Sequence, residues 1–250
     1  MDSFSTDYLL NKKVIMVQKK GAYHTSSDAV LLSCLVDKVN DGSLILDVGS
    51  GTGGISLCLA YRFRNAVIKG FEIQKELIEC AKESARLNGF QNLEYIEHNI
   101  CYKKAPLSFC SCDIVITNPP YNTPQTLPSS NESKKTAHIG YEADLKTWLS
   151  FCVKMLKPKG FLYLINRTEN LPFMLDVLLL KKMGNISVIP VYSLENKPAN
   201  RVMIRAQKDS KAPLQILSPL VVRKDGDFTF QAQQMMREGK SFFQIDNSET

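Results

Sequence analysis

Three short stretches of this 250-residue chain carry groups suited to gripping small polar partners. The first is Asn118-Pro119-Pro120-Tyr121. The Asn118 side-chain carbonyl and the Pro119 backbone carbonyl are both acceptors, and they can converge on the two donors of one NH2 group. Tyr121 adds a flat face for a planar base or amide. An amide or exocyclic amine is a poor nucleophile because its lone pair is delocalised. Two acceptors drawing on its protons favour a more pyramidal, more reactive nitrogen. Pro119 and Pro120 lack an N–H and stiffen the turn. The second stretch is Asp47 followed by Gly49-Ser50-Gly51-Thr52-Gly53. Glycines let the chain turn tightly and approach a ligand closely, and Asp47 can hold an ammonium group. A dinucleotide-binding fingerprint has no need of an acid there. The third is Glu72, whose carboxylate can accept both hydroxyls of a ribose. Each stretch also has a plain structural reading: a proline turn closing a strand, an acid bonding its own loop, a strand-end carboxylate.

The elements around these stretches favour the chemical reading. Apolar, β-branched runs at 44–48, 67–73, 93–97, 113–117 and 161–165 read as strands. Helical spacing at 55–63, 74–88, 145–156 and 171–183 reads as helices, with Asn88-Gly89 as a helix stop. Strands alternating with helices predict a parallel, doubly wound sheet. Two further strands, 186–192 and 201–206, have only a loop between them and should pair antiparallel. The expected fold class is therefore α/β, a seven-stranded Rossmann-like sheet with five parallel strands and a C-terminal antiparallel hairpin. Six parallel strands in two matching halves, as in a dinucleotide dehydrogenase, fit less well. Ligands bind such sheets outside the carboxyl ends of the strands, where Asp47, Glu72 and Asn118 all fall.

The remaining chain divides into expectations of its own. Residues 1–11 read as frayed, 14–18 as a short strand, and 27–37 as a helix capped by Ser26 or Ser27. Residues 122–140 lack periodicity and are placed to act as a lid or substrate-reading loop. Residues 157–160 read as a turn, and 212–236 as an appendage with a turn at 224–227. The chain from about Glu238 reads as loose. The expected organisation is an N-terminal extension over 1–43, a catalytic domain over 44–210 and an appendage over 211–250.

Composition sets outer limits. Hydrophobic residues make up 44%, as in a globular protein, and no apolar run is long enough to span a bilayer. The start resembles no signal peptide, so a soluble cytoplasmic protein is expected. The seven cysteines form no Cys-x-x-Cys pair and read as reduced, buried thiols, with no metal site. His24, His98 and His138 lack metal-ligand spacing and read as loop or surface residues, although His138 sits where it can touch a substrate. Trp148 reads as core. A formal net charge of +6 is compatible with a nucleic-acid partner.

With these motifs in view, the chain resembles the amino-group methyltransferases that carry Asn-Pro-Pro-Tyr. Within them it is most similar to the bacterial "small domain" family that contains the tRNA1(Val) adenine-37 N6-methyltransferase. The resemblance runs from about Val14 to Gln234. It rests on Ser27-Asp28-Ala29-Val30-Leu31-Leu32, on 46–53, 71–74, Leu87-Asn88 and 156–160, and on Asn118-Pro119-Pro120-Tyr121. It implies S-adenosyl-L-methionine as cofactor and an RNA substrate, tRNA in particular. Asp47, Gly49, Gly51 and Gly53 would shape the methionine pocket, Glu72 and Ile73 would take the ribose, and Ser27 and Asp28 would flank the cofactor. The family usually has an aspartate where Asn99 stands, next to Ile100. The Asn99 carbonyl can still accept from an adenine amino group. Asn118, Pro119, Pro120 and Tyr121 would hold the target nitrogen, with Lys19, Lys20, Lys134 and Lys135 as phosphate contacts. A protein-glutamine methyltransferase presents the same NH2 geometry and is the first alternative. An NAD(P) oxidoreductase and a non-catalytic RNA-binding relative are the others.

Overall fold

The computed structural model describes residues 4–19, 27–120 and 144–245. It opens with a hairpin of β1 (Phe4–Leu9) and β2 (Val14–Lys19), reversed by three consecutive left-handed residues, Leu10, Asn11 and Lys12. The expectation that residues 1–11 fray is therefore corrected for 4–11, and residues 1–3 lie outside the described residues. Side chains of β1 alternate between exposed and half-buried, so the strand is held by its ladder and carries no hydrophobic signature. Helix α1 (Ser27–Ser33) follows and is shorter than expected. The Ser33 hydroxyl donates to the Val30 carbonyl at 2.7 Å as the helix ends.

The sheet begins with β3 (Leu44–Val48), then alternates through α2 (Gly54–Arg62), β4 (Val67–Glu72), α3 (Lys75–Leu87), β5 (Leu93–Glu97) and β6 (Cys112–Thr117). It continues through α4 (Leu145–Met155), β7 (Leu156–Asn166), α5 (Leu171–Leu180), β8 (Met183–Tyr192) and β9 (Arg201–Lys208). The spatial order is β5-β4-β3-β6-β7-β9-β8. The expected antiparallel pairing of the last two long strands is present, with Val188 opposite Ile204. β9 inserts between β7 and β8, antiparallel to both, so β8 runs with the parallel set. Two short strands, β10 (Gln215–Ile216) and β11 (Leu220–Val221), add to the outer side of β8. At two residues each they are too short to leave a periodic pattern.

Strand alternation sends side chains to two layers. Ile45, Ile68, Ile114, Ile116, Ile165 and Met203 pack in one core cluster with α1, α2 and the N-terminal hairpin. Leu46, Val48, Val115, Leu164 and Ile204 pack in the other, against α4 and α5. The turn expected at 157–160 is built into β7, where Lys159 is left-handed and the register with β6 shifts between Cys112 and Ile114. A small hairpin, β12 (Arg223–Lys224) and β13 (Asp227–Phe228), turns at left-handed Asp225 and Gly226, as expected. After α6 (Phe230–Gln233) the chain is not loose as far as residue 245: Phe242 is buried and its N–H donates to the Cys34 carbonyl at 2.9 Å. The cysteines form no disulfide, and Cys101 and Cys110 are exposed rather than buried. No described helix is long and apolar enough to cross a membrane.

Asn88 fastens the N-terminal hairpin to the body. Its Oδ1 accepts from Ile15 N at 2.9 Å, and its Nδ2 donates to the Ile15 and Ser84 carbonyls at 2.6 and 2.7 Å. Replacing Asn88 with Ala leaves the Ile15 N–H and carbonyl without that partner. Urea denaturation should show a loss of about 2 kcal/mol, with cofactor affinity unchanged.

Candidate active site

Strand register places the three motifs on one rim. Val48 pairs with Phe71 on one side and with Thr117 on the other. Gly49, Glu72 and Asn118 are therefore the next residues out of three neighbouring strands. At ~4.8 Å per strand, Glu72 and Asn118 end up roughly 10 Å apart. Alternation also puts them on one face: Ile45, Ile68 and Ile116 share a core cluster, and Asp47, Glu72 and Asn118 follow them at even spacings. The strand order reverses at β3, with β4 on one side and β6 on the other, which opens a crevice at the carboxyl ends.

The glycine loop is shaped from both sides. Gly49, Gly51 and Gly53 all have positive φ, of 73°, 55° and 91°. A Cβ on Gly49 would lie 2.6 Å from the Trp148 ring, and one on Gly53 would lie 2.2 Å from the Tyr95 hydroxyl. Glu72 is buried, and its Oε2 accepts from Gly51 N at 2.9 Å. Its Oε1 accepts from Ile73 N at 2.8 Å and Gln74 N at 3.0 Å. The carboxylate thus clamps the loop, and Oε2 keeps a lone pair for a hydroxyl.

Asp47 is fully buried, and its Oδ2 accepts from the Ser56 hydroxyl at 2.9 Å. Its Oδ1 has no partner among the described residues, and neither has the Ser50 hydroxyl. Burial pushes the Asp47 carboxyl up to about 7; hydrogen bonds from Ser56 oppose this and nearby Glu72 adds to it. A buried, unsatisfied acid beside a loop of glycines fits a ligand that carries an ammonium group. On the other side of β3, Asn118 Oδ1 is likewise buried without a partner among the described residues, and Pro119 beside it is buried.

Other expected residues sit differently. Asn99 Oδ1 accepts from Cys101 N at 2.9 Å, closing a turn on its own backbone, and Ile100 packs against the α4–α5 core. Asp28 is buried and ion-paired to Arg201 at 3.1 Å. Ser27 and Asp28 line a cavity with the ends of β8 and β9, which lie beyond Asn118 in the strand order. Lys19 pairs with Glu76 at 3.0 Å. Lys20, His24, Ser26, Tyr121, Lys134, Lys135 and His138 lie outside the described residues.

Several supports were not visible in the sequence. Trp148 is core as expected, and its Nε1 also donates to the Thr117 hydroxyl at 2.8 Å, which donates to the Val48 carbonyl at 2.8 Å. Ser56 and Tyr95 meet at 3.2 Å beneath the loop. Their only signal was position, one in the helix after the glycines and one in the neighbouring strand. His98 is not a surface residue. Its ring packs against Phe71, Phe151 and Tyr102 at 5.0, 5.7 and 6.1 Å, and burial lowers its pKa. Among the described residues, no three His, Cys, Asp or Glu side chains converge to hold a metal.

A mostly parallel sheet with one inserted reversed strand, and an acid-and-glycine rim at its switch point, define the S-adenosyl-L-methionine-dependent methyltransferases. The chain belongs to the methyltransferase-domain family, whose model matches residues 39–185, and it is an enzyme of that class using that cofactor. It is 28% identical to a tRNA1(Val) (adenine(37)-N6)-methyltransferase of Pedobacter heparinus over 183 residues, 73% of this chain and 76% of the relative. It is 37% identical to a release factor glutamine methyltransferase of Lactococcus lactis over 87 residues, 35% of this chain and 30% of the relative. Its fold is similar to the crystal structure of a predicted O-methyltransferase from Agrobacterium tumefaciens. The TM-score is 0.70 at 23% identity, covering 86% of this chain and 97% of that one.

Asp47 gives cofactor binding a pH dependence with a defined sign. A bound ammonium favours the carboxylate, so binding releases a proton and strengthens as pH rises through about 7. By calorimetry the dissociation constant should fall roughly tenfold from pH 6 to pH 8, and Asp47→Asn should weaken binding and flatten the profile. Gly53→Ala places a methyl group against Tyr95 and strains a left-handed residue. Cofactor affinity should drop at least tenfold in the same titration.

Proposed function

We propose that this enzyme methylates the exocyclic N6 amine of an adenine in tRNA. The observation that carries this reading is Asn118 Oδ1, a buried acceptor without a partner among the described residues at the end of β6, on the same face and rim as Asp47 and Glu72. An NH2 group would satisfy it. The extent of the match to the tRNA enzymes, about three quarters of both chains, supports RNA over a protein amide, for which the match spans about a third.

When bound, S-adenosyl-L-methionine supplies an electrophilic methyl group on a positively charged sulfur. Asp47 and the loop 49–53 would hold its amino-acid end, Glu72 and Ile73 its ribose, and Asn99 and Ile100 its adenine side. Asn118 Oδ1 and the Pro119 carbonyl accept the two protons of the target amine and aim its lone pair at the glycine-loop side of the crevice. Such positioning can be worth ~7–11 kcal/mol of barrier. The methylated nitrogen is acidic, so these same carbonyls hold its protons until one passes to solvent, and no strong base is required. An adenine in structured RNA must be presented unstacked. Tyr121 would stack on it, with Lys134, Lys135 and His138 contacting the RNA around it.

Two measurements test this. Label from the cofactor should enter total tRNA as N6-methyladenine and not total protein as methylglutamine. Asn118→Ala should reduce turnover by about a hundredfold or more while the cofactor dissociation constant stays within about twofold. Equal loss of both, or label on glutamine, would contradict the assignment.

A further inference from the structure

We infer that the cavity between α1, the ends of β8 and β9, and the β12–β13 hairpin is a second subsite, which takes the nucleotide next to the target adenine. The inference rests on the RNA reading above and adds a location and a chemistry to it.

The cavity has a volume of about 420 Å³, within the range of small-ligand pockets and large enough for a base with its sugar. The sheet places it relative to Asn118. Thr117 at the end of β6 pairs with Leu164 on β7, Asn166 of β7 pairs with Val202 on β9, and Arg201 pairs with Val191 on β8. Arg201 is therefore two strand spacings, roughly 10 Å, to the side of the target turn. Ile116 and Met203 belong to the same core cluster, so Asn118 and Arg201, two residues on along each strand, project from the same face. A substrate seated on Asn118 meets this cavity next, on the side away from Glu72.

The lining suits a nucleotide. Leu31, Val191 and Phe228 give apolar walls, and Asp28, Arg201 and Arg223 give one negative and two positive charges. The Arg223 guanidinium lies over the Phe228 ring at 4.3 Å, and its Nη1 donates to the Gly226 carbonyl at 2.9 Å. A guanidinium held flat in this way is a platform for a nucleobase on its other side. The Arg201 Nε is fixed on Asp28 at 3.1 Å and its Nη1 on the Asn200 carbonyl at 3.1 Å. That held guanidinium forms a polar part of the cavity wall. Arg201, Arg223 and Phe228 lie beyond the stretch matched by the family model, which ends at residue 185. They belong to the part of the chain that can set context around the methylated base.

The test uses the full-length enzyme, steady-state methylation of tRNA and filter binding of the same tRNA. Arg223→Ala and the double variant Arg223→Ala/Phe228→Ala should raise the KM for tRNA and its dissociation constant roughly tenfold to a hundredfold. Turnover at saturation and cofactor affinity should stay within about twofold. Phe228→Tyr should restore the parent KM. Arg223→Glu, a change at an exposed position, serves if the double variant folds poorly, and should weaken tRNA binding further. Unchanged KM and binding in a native-like variant that still methylates tRNA would overturn the subsite and leave the RNA reading standing. A parent enzyme that labels only protein would overturn both. A raised KM for that protein in the variants would assign the cavity to a peptide.

Discussion

The site depends on one carboxylate and the three backbone N–H groups it holds. Glu72 bonds to Gly51 N across the crevice and to Ile73 N and Gln74 N at its own strand end. The Phe71 carbonyl beside it accepts from Gly49 N and Ser50 N. The end of β4 therefore sets the conformation of the loop after β3. Trp148 and Tyr95 fill the space under that loop, so glycine is required where they press against it. An oxygen of Glu72 is left to serve a ligand only because the same group has already shaped the wall that the ligand would touch.

Around that frame the protein carries polar atoms it does not satisfy itself. Asp47 Oδ1, Ser50 Oγ and Asn118 Oδ1 are buried without partners among the described residues. Each such group costs on the order of 1–3 kcal/mol, and these three lie at the ends of two adjacent strands. A ligand with matching donors would remove that cost. The Asp47 carboxyl, raised to about 7 by burial, is the clearest case.

The rim has two directions from β3. Toward β4 and β5 lie Glu72, Asn99 and the buried His98. Toward β6, β7 and β9 lie Asn118, Arg201 and the cavity reached by Asp28. β9, slotted between β7 and β8, brings Arg201 from the far end of the chain to this rim. The small hairpin carrying Arg223 and Phe228 closes the same end. The glycine-loop side of the rim is built from 44–100, and the Asn118 side from elements scattered over the rest of the chain.

Much of this was legible without coordinates. Runs of β-branched residues alternating with helical spacing are local signals, and they identified the seven long strands and the doubly wound sheet. Asp47, the glycines, Glu72 and Asn118-Pro119 were readable because each is a local chemical pattern at a strand end. Other elements packed around the sheet were not readable. β1 has no apolar periodicity, β10 and β11 have two residues each, and Phe242 docks on Cys34 through contacts more than two hundred residues apart in sequence. The seat of Asp28 on Arg201 follows from where β9 inserts. What the sequence determined alone was the order of elements and the chemistry at their ends, because both arise within a few residues. Only the tertiary structure decided which ends stand side by side, which acceptors stay unsatisfied and what floor lies under the glycines. Those depend on strand register and packing between distant segments.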